Sequence, residues 1–145
     1  MNLPSYLKSL GYVEISFVKA RTNQIKVEAK VNGEDVTLVV DTGASHTCIA
    51  DSSVERLRLT RGRIEPAGSL AALKKNAALS NLDSLEIGLL RMTNVKAWIV
   101  DFSYINMMLQ TKGESLCDGV LGADILLSKS AVVDYKGFKL YLKGE

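Results

Sequence analysis

The chain is short of the residues that most often carry metal and covalent chemistry. Its 145 residues include one histidine, His46, and two cysteines, Cys48 and Cys117. One histidine excludes every zinc motif that needs two. Two cysteines at this spacing fit no zinc pattern and are too few for a disulfide framework. Reduced thiols are the expected state, and with them an intracellular, cytoplasmic setting. An excess of one charge is missing too: 18 basic and 16 acidic residues leave +2. The basic residues are scattered rather than striped, so neither nucleic acid nor a membrane is indicated as a partner. No apolar run approaches the roughly 20 residues of a membrane-spanning helix, and the N-terminus lacks the charged-then-apolar layout of a secretion signal. Repeats, linkers and low-complexity stretches are absent as well, and the length suits a single domain over residues 1–145.

What the chain does have is alternation. Val13, Ile15 and Phe17 alternate with Glu14 and Ser16, and Ile25, Val27, Ala29 and Val31 alternate with Lys26, Glu28 and Lys30, which predicts strands with one wet face each. Asn32-Gly33 is turn chemistry ahead of a strand from Val36 to Val40. Ser52 and Glu55 fit a capping box, with Val54 and Leu57 as the buried side of a short helix ending near Leu59. The stretch Thr60 to Asn81 is the least legible. Leu85, Ile87 and Leu89 restore alternation, and Val95 to Val100 reads as a strand. Ser103 is placed to cap a helix through Lys112, with Tyr104, Ile105, Met108 and Leu109 on its buried face. Ala131 to Tyr135 and Phe138 to Leu142 form a hairpin about Lys136-Gly137. Many short alternating strands with turn signals predict an all-β fold with two or three short helices.

The most informative segment is Val40-Asp41-Thr42-Gly43-Ala44-Ser45, where an apolar strand runs straight into an Asp-Thr-Gly turn. Such a turn presents one carboxylate at the floor of a cleft. The Thr42 hydroxyl can hold the turn, and Gly43 lets backbone bend or a ligand approach closely. A second segment, Val120-Leu121-Gly122-Ala123-Asp124, sets two apolar residues and a glycine before a short apolar helix that Asp124 is placed to cap. Gly43 and Gly122 are both expected at crowded or unusual backbone positions. Asp118 reads as a turn residue, Trp98 as packing and Lys74-Lys75 as a solvated patch. His46 adjoins Ser45, but neighbouring strand residues point to opposite faces, so no nucleophile–base pair is expected there.

Together the two segments resemble the retropepsin-like aspartic peptidases, single-domain homodimeric relatives of pepsin. The resemblance follows the order of elements from Ile25 to Leu142, with motif-grade agreement at Asp41 to Ser45 and at Val120 to Gly122. It implies a retropepsin-like acid-protease barrel and an aspartic endopeptidase acting on a peptide or protein substrate. Asp41 would be one member of a catalytic pair, its partner the Asp41 of a second chain. Thr42 would lock the two loops across the dimer axis, Gly43 would admit substrate backbone, and Ala44 and Ser45 would line the floor beside the scissile bond. Val120, Leu121 and Gly122 would form the strand behind the catalytic loop. No metal or cofactor is implied. Ala123 and Asp124 stand where the family often carries arginine or asparagine, and the stretch Gly68 to Ala78 departs from the family's glycine-tipped flap. The alternative is a non-catalytic peptide-binding or assembly domain that retains the fold.

Overall fold

The computed structural model describes residues 1–65 and 77–144 of the chain. Strand β3 (Ile25–Val31) buries Ile25, Val27, Ala29 and Val31 and leaves Glu28 and Lys30 in water, as the alternation predicts. Lys26 is the exception. It is buried on the outer face, where its ammonium meets the Ser115 hydroxyl at 3.1 Å and Glu114 at 3.5 Å. Asn32 and Gly33 both take positive φ, 52° and 84°, the geometry of a two-residue hairpin turn, and lead into β4 (Glu34–Val40).

The remaining barrel strands are β5 (Cys48–Ala50), β7 (Ala77–Ile87), β8 (Leu90–Val100) and β9 (Gly119–Leu121). Following the pairings, β3 joins β4, β4 joins β9 in parallel, β9 joins β5, β5 joins β8 in parallel, and β8 joins β7. Strand β7 returns to β3 through Lys30↔Glu86 and Val31↔Leu85, closing a six-stranded barrel. Closure leaves few open edges. The short strands β2 (Val18–Lys19) and β6 (Ile64–Glu65) extend β3 and β7. A separate sheet of β1 (Tyr12–Ser16), β11 (Lys139–Lys143) and β10 (Val132–Asp134) brings both ends of the chain together. Leu38, Leu82, Leu85, Ile87, Leu121 and Leu140 are fully enclosed in the main core, each contributing about 1.5–3 kcal/mol by burial. The all-β barrel with three short helices is therefore the fold that the pattern implies.

Several local expectations fail for identifiable reasons. Helix α1 (Leu3–Ser9) precedes the first alternating segment and is not announced by it; Asn2 caps it by accepting from the Ser5 N–H, and Pro4 occupies its first turn. No capping-box helix forms at Ser52. The chain makes a single 3-10 turn, Asp51–Ser53, because Ser53 and Arg56 are drawn to Asp118 and Arg58 reverses the chain at φ 56°. Val54 and Leu57 are buried all the same. Leu89 leaves the alternation, 94% exposed in the β7–β8 turn beside Gly88. Helix α2 (Ser103–Thr111) is started by Asp101, whose carboxylate accepts from Ser103, and not by Ser103 itself. Only Leu109 of its expected face is fully buried; Tyr104 and Met108 are exposed. Of the flap candidate, Ala77 and Ala78 open β7, while residues 66–76, with Gly68 and the Lys74-Lys75 pair, lie outside the described residues. Among the described residues no helix is long and apolar enough to cross a membrane.

Both cysteines lie in a second apolar cluster with Val39, Phe102, Leu109 and Val120, and neither joins a disulfide. Burial, and then the neighbouring Asp118 carboxylate, push the Cys117 thiol above its usual value. The unfolded thiol ionises first, so stability is lost as pH rises from the ordinary thiol range toward the folded value. Both thiols should resist alkylation in the native state and react together on unfolding, which mass analysis will count. A thiol modified rapidly in folded protein would contradict the packing.

Candidate active site

Strand β4 is buried along Leu38, Val39 and Val40 and stops where Asp41 enters solvent. The turn that follows is held by Asp41 itself. Its Oδ1 accepts the Gly43 N–H at 2.8 Å and its carbonyl accepts the Ala44 N–H at 3.2 Å. Among the described residues no group of the chain bonds the Thr42 hydroxyl or the second Asp41 oxygen, so Thr42 does not hold the turn as expected. Asp41, Thr42, Gly43 and Ser45 are exposed and Ala44 is half-buried.

The second segment lies directly behind this loop. β9 runs parallel to β4 with Leu38↔Gly119, Val39↔Val120 and Val40↔Leu121 in register. Leu121 O accepts the Asp41 N–H at 3.1 Å, and the Ala123 N–H bonds Ala44 O at 2.7 Å. Contact is so close that a Cβ on Gly122 would lie 2.6 Å from the His46 carbonyl. Gly119 is tighter still: a Cβ there would stand 2.2 Å from the Cys48 carbonyl oxygen. That glycine was not singled out in the sequence, and only its place between β4 and β5 reveals the need for it. Gly43 is less crowded than Gly122: among the described residues the one contact of a Cβ there would be the movable Asp41 carboxylate, at 3.3 Å.

Two acidic residues do more than the sequence suggests. Asp118, expected in a turn, accepts from Thr37 N–H at 2.9 Å, Ser53 Oγ at 2.8 Å and Arg56 at 2.6 Å, and so ties β4 to the 3-10 turn. Asp124 is not the cap of helix α3 (Ala123–Ser128): Gly122 occupies that position with no side-chain bond. From the second residue of the helix, Asp124 accepts the Ile125 N–H and also reaches across to Thr47. Ser45 and His46 depart from the strand reading. The chain bends there, so Ser45 Oγ and His46 Nδ1 share a hydrogen bond at 2.9 Å, and the His46 ring meets Trp98 edge-on at 5.7 Å.

Asp41 opens onto a cleft of about 410 Å³ bounded by Gln24, Val40, Thr42, Val133 and Tyr135. On the other side of Thr42 lies an apolar groove of about 510 Å³ formed by Ala123, Leu126, Leu127, Ala131 and Val133. Leu127 at its rim is 79% exposed.

A family model described as aspartyl protease matches residues 27–125, which span both segments. No curated protein sequence matches the chain. Among solved structures, a retropepsin-like aspartic protease from Rickettsia conorii superposes with a TM-score of 0.61 at 23% identity, covering 91% of this chain and 90% of that one. The retroviral protease-like domain of Ddi1 from Leishmania major gives 0.55 at 13% identity, covering 90% and 89%. EIAV protease complexed with the inhibitor HBY-793 gives 0.53 at 16% identity, covering 77% of this chain and 92% of that one. These are likenesses of fold.

Proposed function

The chain belongs to the aspartyl protease family, and from that membership we propose that it is an endopeptidase whose catalytic pair is assembled from two copies, each contributing one Asp41. The observation that carries this reading is the exposed Asp41 carboxylate on a loop bonded from behind at Leu121 and Ala123. One oxygen is occupied by the Gly43 N–H, and the other faces a cleft of about 410 Å³. Two such carboxylates within hydrogen-bond distance cannot both ionise, the behaviour for which aspartic proteases are the standard example. The charged member takes a proton from a water as that water attacks the peptide carbonyl. The protonated member donates to the carbonyl oxygen.

The other residues of the loop have supporting roles. Thr42, exposed and without a partner for its hydroxyl among the described residues, is available to the loop of a second copy. Gly43 has no side chain to hold substrate backbone away, and Ala44 and Ser45 line the floor beside it. Val120, Leu121 and Gly122 carry the loop from behind. The groove beside Thr42 and the exposed Leu127 are apolar surface of the kind that an isologous contact covers.

A monomer holds half of this pair, so specific activity on an unstructured protein should fall on dilution in step with dimer dissociation measured by sedimentation. Unchanged specific activity in a demonstrably monomeric sample would remove the shared pair. A peptide bound but never cut, at any concentration, would assign the cleft to binding or assembly instead.

A further inference from the structure

The Asp41 loop is held at three points by the segment from Leu121 to Asp124. The first two are backbone bonds, at Asp41 N–H and at Ala44 O. The third is made by the Asp124 carboxylate at the far end of the loop. Oδ2 accepts the Thr47 N–H at 3.0 Å, while Oδ1 accepts the Thr47 hydroxyl and the Ile125 N–H, both at 2.8 Å. The Thr47 hydroxyl oxygen in turn accepts the Gly122 N–H at 3.1 Å. An N–H can only donate, so the Thr47 proton points at Asp124. Thr47 is buried although Asp124 itself stands at the surface, so these bonds face inward.

Three donors thus converge on two oxygens of one carboxylate. An asparagine of the same shape offers one acceptor. Turned one way its amide nitrogen faces the Thr47 N–H, and turned the other way it faces the Ile125 N–H, so each orientation sets one N–H against another and loses at least one of the three bonds. Helix capping would need one of these bonds and explains neither contact with Thr47.

We propose that Asp124 is a positioning residue for Asp41: by seating Thr47 against Gly122 it sets where the Asp41 carboxylate stands in the cleft. The inference rests on the reading of Asp41 as catalytic, and its effect on rate follows from the sensitivity of catalysis to small misplacement of a reacting group.

The test compares wild type with Asp124→Asn and with Thr47→Val, which removes the hydroxyl at nearly constant volume and serves if the first variant does not fold. Asp35→Asn is the control; its carboxylate meets Lys30 at the surface. At a temperature where all are folded, kcat should fall about 10- to 100-fold in the first two with KM little changed, and stay at the wild-type level in the control. Amide exchange at Gly43, Thr47 and Gly122 should rise about tenfold or more, with β7 and β8 unmoved. The Gly43 amide reports directly on the Asp41 carboxylate it bonds. An unchanged Gly43 amide, exchange raised equally in β7, or wild-type kcat from a loosened loop would each overturn the positioning role. If wild type cleaves nothing, the peptidase reading falls, and the Gly43 amide alone decides whether Asp124 holds Asp41 in place.

Discussion

Asp41→Asn yields a folded chain that has lost peptidase activity by about 10³-fold or more, the scale of a missing general base. The fold should survive because Asp41 is exposed, and an amide oxygen can still accept the Gly43 N–H that holds the turn. The amide nitrogen then faces the cleft, where it can neither take a proton from water nor share one with a second carboxylate. Thermal unfolding should therefore barely move while cleavage of an unstructured protein disappears. The variant also reports on assembly. Mixed with an equal amount of wild type and allowed to exchange, random pairing leaves roughly a quarter of dimers with two carboxylates. Activity should drop well below the half expected from dilution. A rate that is merely halved, or a variant that still cuts, would mean that the reaction belongs to another site.

Gly119→Val should give a chain that does not reach the native state, a loss of more than about 4 kcal/mol against the 5–15 kcal/mol typical of a domain. The added Cβ would sit 2.2 Å from the Cys48 carbonyl oxygen, with Leu38 and Ile49 side chains at 3.1 and 3.2 Å on the other sides. Backbone is what blocks it, so no rotamer change relieves the clash. Strands β5 and β9 would have to part, and their pairing is the link between the β3–β4–β9 and β5–β8–β7 halves of the barrel. Gly122→Val presses on the His46 carbonyl and should cost about 1–3 kcal/mol or more. Gly43→Ala meets a movable carboxylate at 3.3 Å, and it should cost little stability while displacing the group on which activity depends. Urea unfolding of the three variants measures this order. A Gly119→Val protein that melts like wild type would show that β5 and β9 are not packed as described.

Much of the site was readable because its signals are local. Val40 to Ser45 announces a strand entering a carboxylate-bearing turn, and Val120 to Gly122 announces a strand before a helix. Asp124 was legible as an acidic residue at a helix start, yet its partner Thr47 lies on another strand, and nothing in residues 123–128 points there. The Ser45–His46 bond depends on a bend in the chain, where strand geometry would turn the two side chains to opposite faces. Helix α1 carried a local signal, Asn2 with Pro4, that the strand-like alternation following it obscured.

The division between the two kinds of knowledge follows the range of the forces. Alternation in Ile25–Val31, the Asn32-Gly33 turn and the hairpin of β10 and β11 follow from backbone preference and solvent exposure within a few residues, and the sequence by itself determined them. Which strand lies beside which is different. The parallel pairing of β4 with β9, the return of β7 to β3, the three donors gathered by Asp118 and the need for Gly119 join residues far apart in the chain. Their partners are selected by the packing of one shared core and by the requirement that buried polar groups be satisfied, conditions that only the closed barrel sets.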